Sequence, residues 1–372
     1  MGFRVLITNH FLRARTGSEL FVCELATNLL RRGHTPIVYS PQLGPLAHEL
    51  REATVPVVDN LDAIGSPPDL IHGQHHVETM SALLRFPSTP AVFFCHGWRP
   101  WEETPPKHPR ILHFVAVDDT CRDRLVCENA APEERVSVIL NSVDTHQFLP
   151  RPPLPQKPAR ALIFNNGASE LTHIGAVREA CLRTQLTLDV IGADSGNVSL
   201  RPEVVLGQYD IVFAKARCAL EALAVGSAVV LCDTIGVGPM VTTREMDQLR
   251  RQNFGIRALR GAVDPNVLER EIARYDAQDA TEVSRRIRDT AGRETAIDQI
   301  IKLYSDVIRE FETYQRNPDA EARAESMYLQ QLAIHLEQER DTLLNSQTFR
   351  LRNRLLNLPG AGALLRSLAR KF

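Results

Sequence analysis

Residues 209–233 read YDIVFAKARCALEALAVGSAVVLCD, and this stretch indicates the fold of the chain. Residues 211–213 and 228–231 are short apolar runs without alternation, which is typical of parallel strands covered on both faces. The segment between them is predicted to be a helix that ends at Gly226. Strand, helix and strand in this order predict a doubly wound α/β sheet, where ligands bind beyond the carboxyl ends of the strands.

Three charged residues lie at the predicted start of this helix: Lys215, Arg217 and Glu221. One interpretation is a ligand site, in which the two cations hold phosphate at a helix N-terminus and Glu221 accepts hydrogen bonds from ribose hydroxyls. The other is an i, i+4 ion pair between Arg217 and Glu221 on a solvated helix face, worth only ~0.3 kcal/mol. The spacing alone favours the ion pair.

Residues 219–233 resemble the donor-binding signature of the retaining glycosyltransferases of family four, also called glycosyl transferases group 1. These enzymes have the GT-B architecture, in which two Rossmann-like domains face a cleft. Further stretches resemble the family's motifs in the expected order: Thr16-Gly-Ser-Glu19, Arg32-Gly-His34, residues 68–72, Cys95-His-Gly97 and residues 141–148. The matching set spans most of residues 1–233.

The resemblance implies roles for single residues. The family's equivalent of Glu221 binds the ribose of a sugar nucleotide, and the loop that contains Gly17 lies beside the donor phosphates. A histidine at the place of His96 contacts the donor hexose and lines the reaction centre. We therefore expect Gly17, Lys215, Arg217 and Glu221 to bind the donor, and His96, Lys215 and Arg217 to act in catalysis.

The chain departs from the family's pattern in three places. The arginine and lysine expected after the opening strand of the second domain are absent from residues 165–173, and Lys215 and Arg217 are the substitutes that the sequence offers for binding phosphate. Phe213 stands where the family has an acid that contacts the donor sugar. The segment from Gly192 to Tyr209 is too short for the usual additional helix and strand, which predicts a compact domain.

His10 follows the first predicted strand and is the alternative to His96. A histidine there could act as general base and activate an acceptor hydroxyl in an inverting transferase. His72, His75 and His76 lack an acidic partner at a familiar metal-ligand spacing, so no metal is expected. No cofactor is expected either, since cations and helix N-termini can stabilise the leaving diphosphate.

Four segments are predicted along the chain. Strands and helices alternate in residues 1–150, the acceptor-side domain, and again in residues 159–305, the nucleotide-sugar domain. Residues 151–158 are a proline-rich linker, because five prolines occur within residues 150–158. Residues 306–372 are predicted to be a helical extension with a basic tail.

The helical extension combines a loose leucine heptad with basic residues. Leu329, Leu332, Leu336 and Leu343 follow the heptad spacing. After Asp341 the charged residues are all basic, namely Arg350, Arg352, Arg354, Arg366, Arg370 and Lys371, on both sides of a break at Pro359 and Gly360. A homodimer partner or an anionic membrane surface would suit this segment, and a solvated helix packed on its own protein is the other interpretation.

The composition narrows the class of protein. With 43 Lys and Arg against 45 Asp and Glu the chain is nearly neutral, which argues against a nucleic-acid partner. The seven cysteines form no CxxC pair and several lie in apolar runs, so they are expected to be reduced core residues. The first eight residues read as a buried strand rather than a signal peptide, which predicts a cytoplasmic protein, with peripheral contact to the inner face of the membrane as an option.

Together these features predict a retaining glycosyltransferase. It would move a sugar from a nucleoside diphosphate donor, such as a UDP-sugar, to a glycan, lipid or small-molecule acceptor. Two alternatives share the fold: a sugar-nucleotide epimerase, and a non-catalytic sugar-nucleotide-binding or scaffold protein in which Phe213 marks lost activity.

Overall fold

The computed structural model describes residues 2–129 and 131–356, which form two separate β-sheets with helices packed around them. The first sheet has the strand order β3-β2-β1-β4-β5-β6-β7, and all its paired strands are parallel. Its strands are β1 (Arg4–Thr8), β2 (Thr35–Tyr39), β3 (Val57–Val58), β4 (Leu70–Gly73), β5 (Ala91–Cys95), β6 (Ile111–Ala116) and β7 (Val136–Val138). The strand order reverses between β1 and β4, so a crevice is expected at their carboxyl ends.

Four helices follow strands of the first sheet: α1 (Gly17–Arg31), α2 (Pro45–Glu52), α3 (His76–Arg85) and α4 (Asp119–Asp123). The apolar residues of α1 recur at helical spacing, and Val22, Leu25 and Leu29 are buried in the core of this sheet. The chain leaves α1 at Gly33, whose φ of +81° suits a residue without a side chain. Gly33 therefore makes the turn from α1 to β2.

The second sheet has five strands in the order β12-β11-β10-β8-β9, and only β12 runs antiparallel. Its strands are β8 (Arg160–Phe164), β9 (Thr187–Ile191), β10 (Ile211–Ala214), β11 (Ala228–Asp233) and β12 (Gly236–Met240). Its helices are α5 (Ile174–Arg183), α6 (Pro202–Val205), α7 (Ala216–Val225), α8 (Met246–Arg251), α9 (Pro265–Ile272) and α10 (Ala277–Thr290). The two sheets confirm the predicted α/β architecture.

The stretch that indicated the fold forms the centre of the second sheet. Strands β10 and β11 are parallel neighbours and entirely buried, as their unbroken apolar sequences predict. Gly226 ends α7 with a φ of +101°. Between β9 and β10 the chain forms only the four-residue α6 and short helical turns, as the length of this connection predicts.

Helix α11 (Arg293–Glu312) returns to the first sheet after the second sheet is complete. Its residues Ile297, Ile300 and Tyr304 are buried in the core of the first sheet. The Tyr304 hydroxyl lies 2.6 Å from Nδ1 of the wholly buried His72. The bounds of the two domains stay a prediction, and α11 shows that the last helix before the extension packs with the first sheet.

Among the described residues, 106–109 and 315–356 form a compact unit apart from the rest of the chain. It contains α12 (Pro318–Asn345) and α13 (Gln347–Leu356), and Asn317 caps α12 by accepting a hydrogen bond from the Ala320 N–H at 3.0 Å. Leu329, Leu336 and Leu343 are exposed on α12. The predicted break at Pro359 and Gly360 and the basic residues Arg366, Arg370 and Lys371 lie outside the described residues. None of the described helices is both long and apolar enough to cross a membrane.

Candidate functional site

A cleft of about 380 Å³ lies between α1 of the first sheet and α7 of the second sheet. Cleft residues from the first part of the chain include Arg15, Gly17, Leu20, Cys23, Glu24, Leu46 and Glu49, and those from the second part include Phe164, Asn166, Ser199, Leu200, Arg217, Cys218 and Glu221. Three of the sequence-predicted donor residues, Gly17, Arg217 and Glu221, therefore line one cleft. Lys215 and His96 are not part of this lining.

The start of α1 is fixed by a capping box of Thr16 and Glu19. The Glu19 carboxylate accepts hydrogen bonds from the Thr16 N–H at 3.1 Å, the Thr16 hydroxyl at 2.7 Å and the Ala14 N–H at 2.8 Å. Gly17 is the first residue of the helix, and a Cβ built on it would meet no atom within 4 Å. The space beside the helix start is therefore open to a ligand.

The start of α7 carries Lys215 as the residue before the first helical position. Its ammonium group forms an ion pair with Asp233 at the end of β11, and the Asn165 side-chain amide donates to the same carboxylate at 3.0 Å. Burial alone would raise the pKa of Asp233, but the hydrogen bond and the charge of Lys215 lower it below its ordinary value. Lys215 is thus already neutralised by a carboxylate of its own chain.

Arg217 and Glu221 do form the i, i+4 ion pair, with Nε of Arg217 2.7 Å from the Glu221 carboxylate. The prediction that this pair lies on a solvated helix face is wrong, however, because the side chains of Arg217 and Glu221 are only 21% and 7% exposed. Burial raises the pKa of Glu221, and the nearby positive charge of Arg217 opposes this effect without cancelling it. A buried pair at the edge of a cleft differs from a surface pair, since each partner depends on the other for compensation.

The pair belongs to a larger network that reaches across the cleft. Both terminal nitrogens of Arg217 contact the carboxylate of Glu24 on α1, the Nη1–Oε2 distance being 2.9 Å. Arg293 donates to Glu24 at 2.7 Å and to Asp144 at 3.1 Å. Burial would raise the pKa of Glu24, but Arg217 and Arg293 lower it below its ordinary value. Two guanidinium groups and three carboxylates therefore compensate one another.

Glu24 and Arg293 are site residues that the sequence analysis missed. Glu24 interrupts the apolar run of residues 20–26, and a carboxylate in such a run is expected to be buried and paired. That signal could have identified it as part of a network. Arg293 has no comparable local signal, because its role depends on α11 returning to the first sheet.

His10 and His75 lie beyond the carboxyl ends of β1 and β4. Nδ1 of His10 is 2.9 Å from the buried carboxylate of Glu78, and this hydrogen bond raises the pKa of His10 although burial acts in the opposite direction. The backbone N–H of His10 donates to Nδ1 of His75 at 3.1 Å. His75 has a φ of +57°, an uncommon conformation for a residue with a side chain.

His96 follows β5 and is held by the buried carboxylate of Glu103, which accepts its backbone N–H at 2.9 Å. Burial, assisted by the neighbouring His75, lowers the pKa of His96 to about 3, so its imidazole is neutral at physiological pH. Its Nε2 atom is buried and has no hydrogen-bond partner in the part of the chain that the structure describes. His96 can therefore accept or donate a hydrogen bond to a ligand, but it cannot serve as a proton reservoir near neutral pH.

No three His, Cys, Asp or Glu side chains within residues 2–129 and 131–356 are arranged to hold a metal ion. His72 is buried against Tyr304 of α11 and Phe94 of β5. Burial lowers its pKa well below the ordinary value, so it is neutral.

Residues 15–147 match the sequence model of Glycosyltransferase Family 4. No curated protein sequence matches the chain.

Solved structures that are similar in fold cover 82–85% of this chain. Anabaena HepE in complex with UDP-glucose is similar at a TM-score of 0.61 and 14% identity, covering 82% of this chain and 100% of that one. A glycosyltransferase from Rickettsia africae ESF-5 is similar at a TM-score of 0.58 and 15% identity, covering 82% and 99%. A putative UDP-N-acetylglucosamine 2-epimerase from Listeria monocytogenes gives a TM-score of 0.53 at 10% identity, covering 85% and 100%.

These likenesses agree with the arrangement of two sheets with helices packed around them. The chain therefore has the GT-B fold of these glycosyltransferase structures, and its residues 15–147 are similar to Glycosyltransferase Family 4.

Proposed function

We propose that the chain transfers a sugar from a nucleoside diphosphate sugar, bound in the cleft between α1 and α7, to a glycan, lipid or small-molecule acceptor with retention of the anomeric configuration. The observation that carries this proposal is the meeting of Gly17, Arg217 and Glu221 in one cleft of about 380 Å³. That volume lies within the range of small-molecule sites. The acceptor class and the stereochemistry rest on the family resemblance.

The cleft offers chemical groups for the phosphates and for the ribose of the donor. The open space beside Gly17 lets a phosphate approach the first N–H groups and the positive end of the 15-residue helix α1. Arg217 supplies a planar fork of donors that fits a phosphate, and Glu221 supplies an acceptor for ribose hydroxyls one turn further on. The apolar side chains of Leu46, Phe164 and Leu200 line the remaining walls.

The chemistry asked of these residues is mainly charge stabilisation. The bond between the anomeric carbon and the phosphate oxygen breaks while the acceptor oxygen bonds to the anomeric carbon; the electron pair of the broken bond stays on the leaving diphosphate, which takes up the proton of the acceptor hydroxyl. Arg217, Lys215 and the N–H groups at the start of α1 would stabilise that charge without a metal ion. Lys215 must then exchange or share its present contact with Asp233.

His96 is assigned to the donor sugar rather than to proton transfer. Its neutral imidazole has a buried Nε2 atom without a partner among the described residues, which a sugar hydroxyl would satisfy. Phe213, in contrast, is wholly buried in β10 between Ile163 and Val230 and does not line the cleft. The family's second acid therefore has no counterpart at this position.

An epimerase is the second candidate, because two buried carboxyl groups, Glu78 and Glu103, lie beside the histidines His10 and His96. Epimerisation of a sugar needs groups of this kind to move protons at a sugar carbon. The putative UDP-N-acetylglucosamine 2-epimerase from Listeria monocytogenes shares the fold. A non-catalytic binding protein is the third candidate and differs from both in having no turnover.

The test is to follow UDP-sugars by NMR spectroscopy with and without acceptor sugars. We expect release of UDP that depends on the acceptor and a product with the donor's anomeric configuration. Change of the donor without an acceptor would establish the epimerase instead, and binding without turnover would establish the scaffold. An inverted product that is lost in His10→Ala would replace retention by a mechanism with His10 as base and Glu78 as its partner.

A further inference from the structure

Arg217 already holds an anionic group in the cleft, and that group belongs to the protein. Glu24 contacts both terminal nitrogens of Arg217, while Nε of the same guanidinium is taken by Glu221. A guanidinium has five N–H donors in one planar fork, and its two-pronged face binds one carboxylate or phosphate at a time. A diphosphate and Glu24 therefore compete for the same face of Arg217.

We propose that Glu24 is an internal competitor of the donor diphosphate, which must displace the Glu24 carboxylate from Arg217 to bind. The inference rests on the proposed donor site in the cleft. Both residues line the cleft, so the exchange takes place where the ligand would lie. Glu24 is thus a positioning residue that sets how strongly the site prefers a diphosphate over a bare nucleoside.

In this network, every buried charged group keeps an oppositely charged partner when the diphosphate replaces Glu24 on Arg217. Glu24 also accepts from Arg293 at 2.7 Å, so it keeps a counter-ion when it leaves Arg217. Arg293 is itself held by Asp144 at 3.1 Å. Arg217 keeps Glu221 on its Nε and gains the phosphate in place of Glu24. Each buried charge has a partner before and after the exchange, which avoids the large cost of an uncompensated buried ion.

The ion pair that the diphosphate would displace also connects the two sides of the cleft. Glu24 belongs to α1, which packs on the first sheet, and Arg217 belongs to α7, which packs on the second. Their ion pair is one of the contacts across the cleft. Displacement of Glu24 by a ligand therefore replaces a contact between protein residues with one that runs through the ligand.

The experiment is isothermal titration of the full chain with uridine, UDP and inorganic pyrophosphate. Glu24→Gln is isosteric and removes the charge, while Arg217 keeps Glu221 and Arg293 keeps Asp144. We expect this variant to bind UDP and pyrophosphate roughly tenfold more tightly, because a competing charge-assisted contact is weakened, and to bind uridine as the parent does.

Glu49→Gln is the matched control. Glu49 also lines the cleft, but it pairs with Arg15 at 2.8 Å and not with Arg217. It removes the same charge from the same cleft, so it reports the general electrostatic effect on a diphosphate. Glu24→Asp retracts the carboxylate by one methylene and keeps the charge, and we expect it to lie between the parent and Glu24→Gln. The gain should also disappear in the double variant with Arg217→Gln.

The outcomes separate the two proposals. If Glu24→Gln binds UDP no more tightly than the parent, or if Glu49→Gln gains as much, the competition is refuted while the donor site stands. If the folded parent binds none of the three ligands, the proposed function and the competition both fail. Circular dichroism of each variant establishes that the comparison is between folded proteins.

Discussion

Glu103 is a buried carboxyl group beside His96 and His75, and it makes the stability of the protein depend on pH. Burial raises its pKa from the ordinary value of 4.5 to about 7, although the His96 N–H partly stabilises the carboxylate. Because the folded pKa exceeds the unfolded one, this contribution to stability is fully present below about pH 4.5 and is lost as the pH rises through about 7. The free energy of unfolding is expected to fall by roughly 3 kcal/mol across this pH range because of Glu103.

We therefore predict that Glu103→Gln removes this part of the pH dependence. The free energy of unfolding of the parent, measured by urea denaturation, should fall between pH 5 and pH 8 relative to that of the variant, since the amide does not ionise. Glu102→Gln is the neighbouring control, and its stability should follow the parent's curve. Parallel curves for the parent and Glu103→Gln would show that the carboxyl group is already ionised at pH 5 in the folded protein.

Residue chemistry at α7 could be predicted from the sequence only in part. The pairing of Arg217 with Glu221 follows from their spacing in the sequence. The burial of these two side chains does not, because it depends on α1, a helix that packs on the first sheet and contacts Arg217 through Glu24. Glu24 carried a local signal, a carboxylate within an apolar run. Lys215 carried none for its partner Asp233, since the two meet only when β10 and β11 lie side by side.

At the scale of elements, the sequence predicts best where periodicity and end signals agree. Helix α7 ends at Gly226, as its glycine after an apolar run predicts. Strand β3 is reduced to Val57 and Val58, because Pro56 before it has no N–H to donate to the sheet. Strand β6 (Ile111–Ala116) was not predicted, since His113 breaks its apolar run in the middle.

The helical extension is an element whose role outside the cleft can be tested. Leu329, Leu336 and Leu343 are 54–64% exposed on α12, and this helix belongs to a compact unit of its own. We predict that removing residues 319–372 leaves the affinity for UDP unchanged and weakens self-association or binding to anionic vesicles. Analytical ultracentrifugation and vesicle pelleting measure the two effects.

A point variant separates the two roles of this extension. Leu336→Glu in the full chain places a charge on the leucine face and leaves the basic residues in place. Loss of self-association with retained vesicle binding would assign the leucines to a second copy and the basic residues to the membrane. A truncated chain that no longer folds would show that the extension is part of the core.

At the scale of the whole molecule, the ion pairs between the two halves of the chain join residues far apart in the sequence. Glu24 meets Arg217, and Asp119 and Asp123 of the first part pair with Arg251 and Arg257 of the second at 2.9 Å and 2.7 Å. Local patterns predict each half separately, because strands and helices are specified by neighbouring residues. They do not predict which surface of one half faces the other, so the shape of the cleft between α1 and α7 follows only from the structure.

The measurement that tests the donor cleft most directly is isothermal titration of the parent, Arg217→Ala and Glu221→Gln with uridine, UDP and UDP-glucose, after circular dichroism has confirmed the fold of each variant. Arg217→Ala should weaken UDP and UDP-glucose by about 1.5 to 3 kcal/mol and change uridine little, because it removes a charge-assisted contact to phosphate. Glu221→Gln should weaken all three ligands, since each contains the ribose. If both variants bind all three ligands like the parent, the network is only an internal ion pair and the donor does not bind in this cleft.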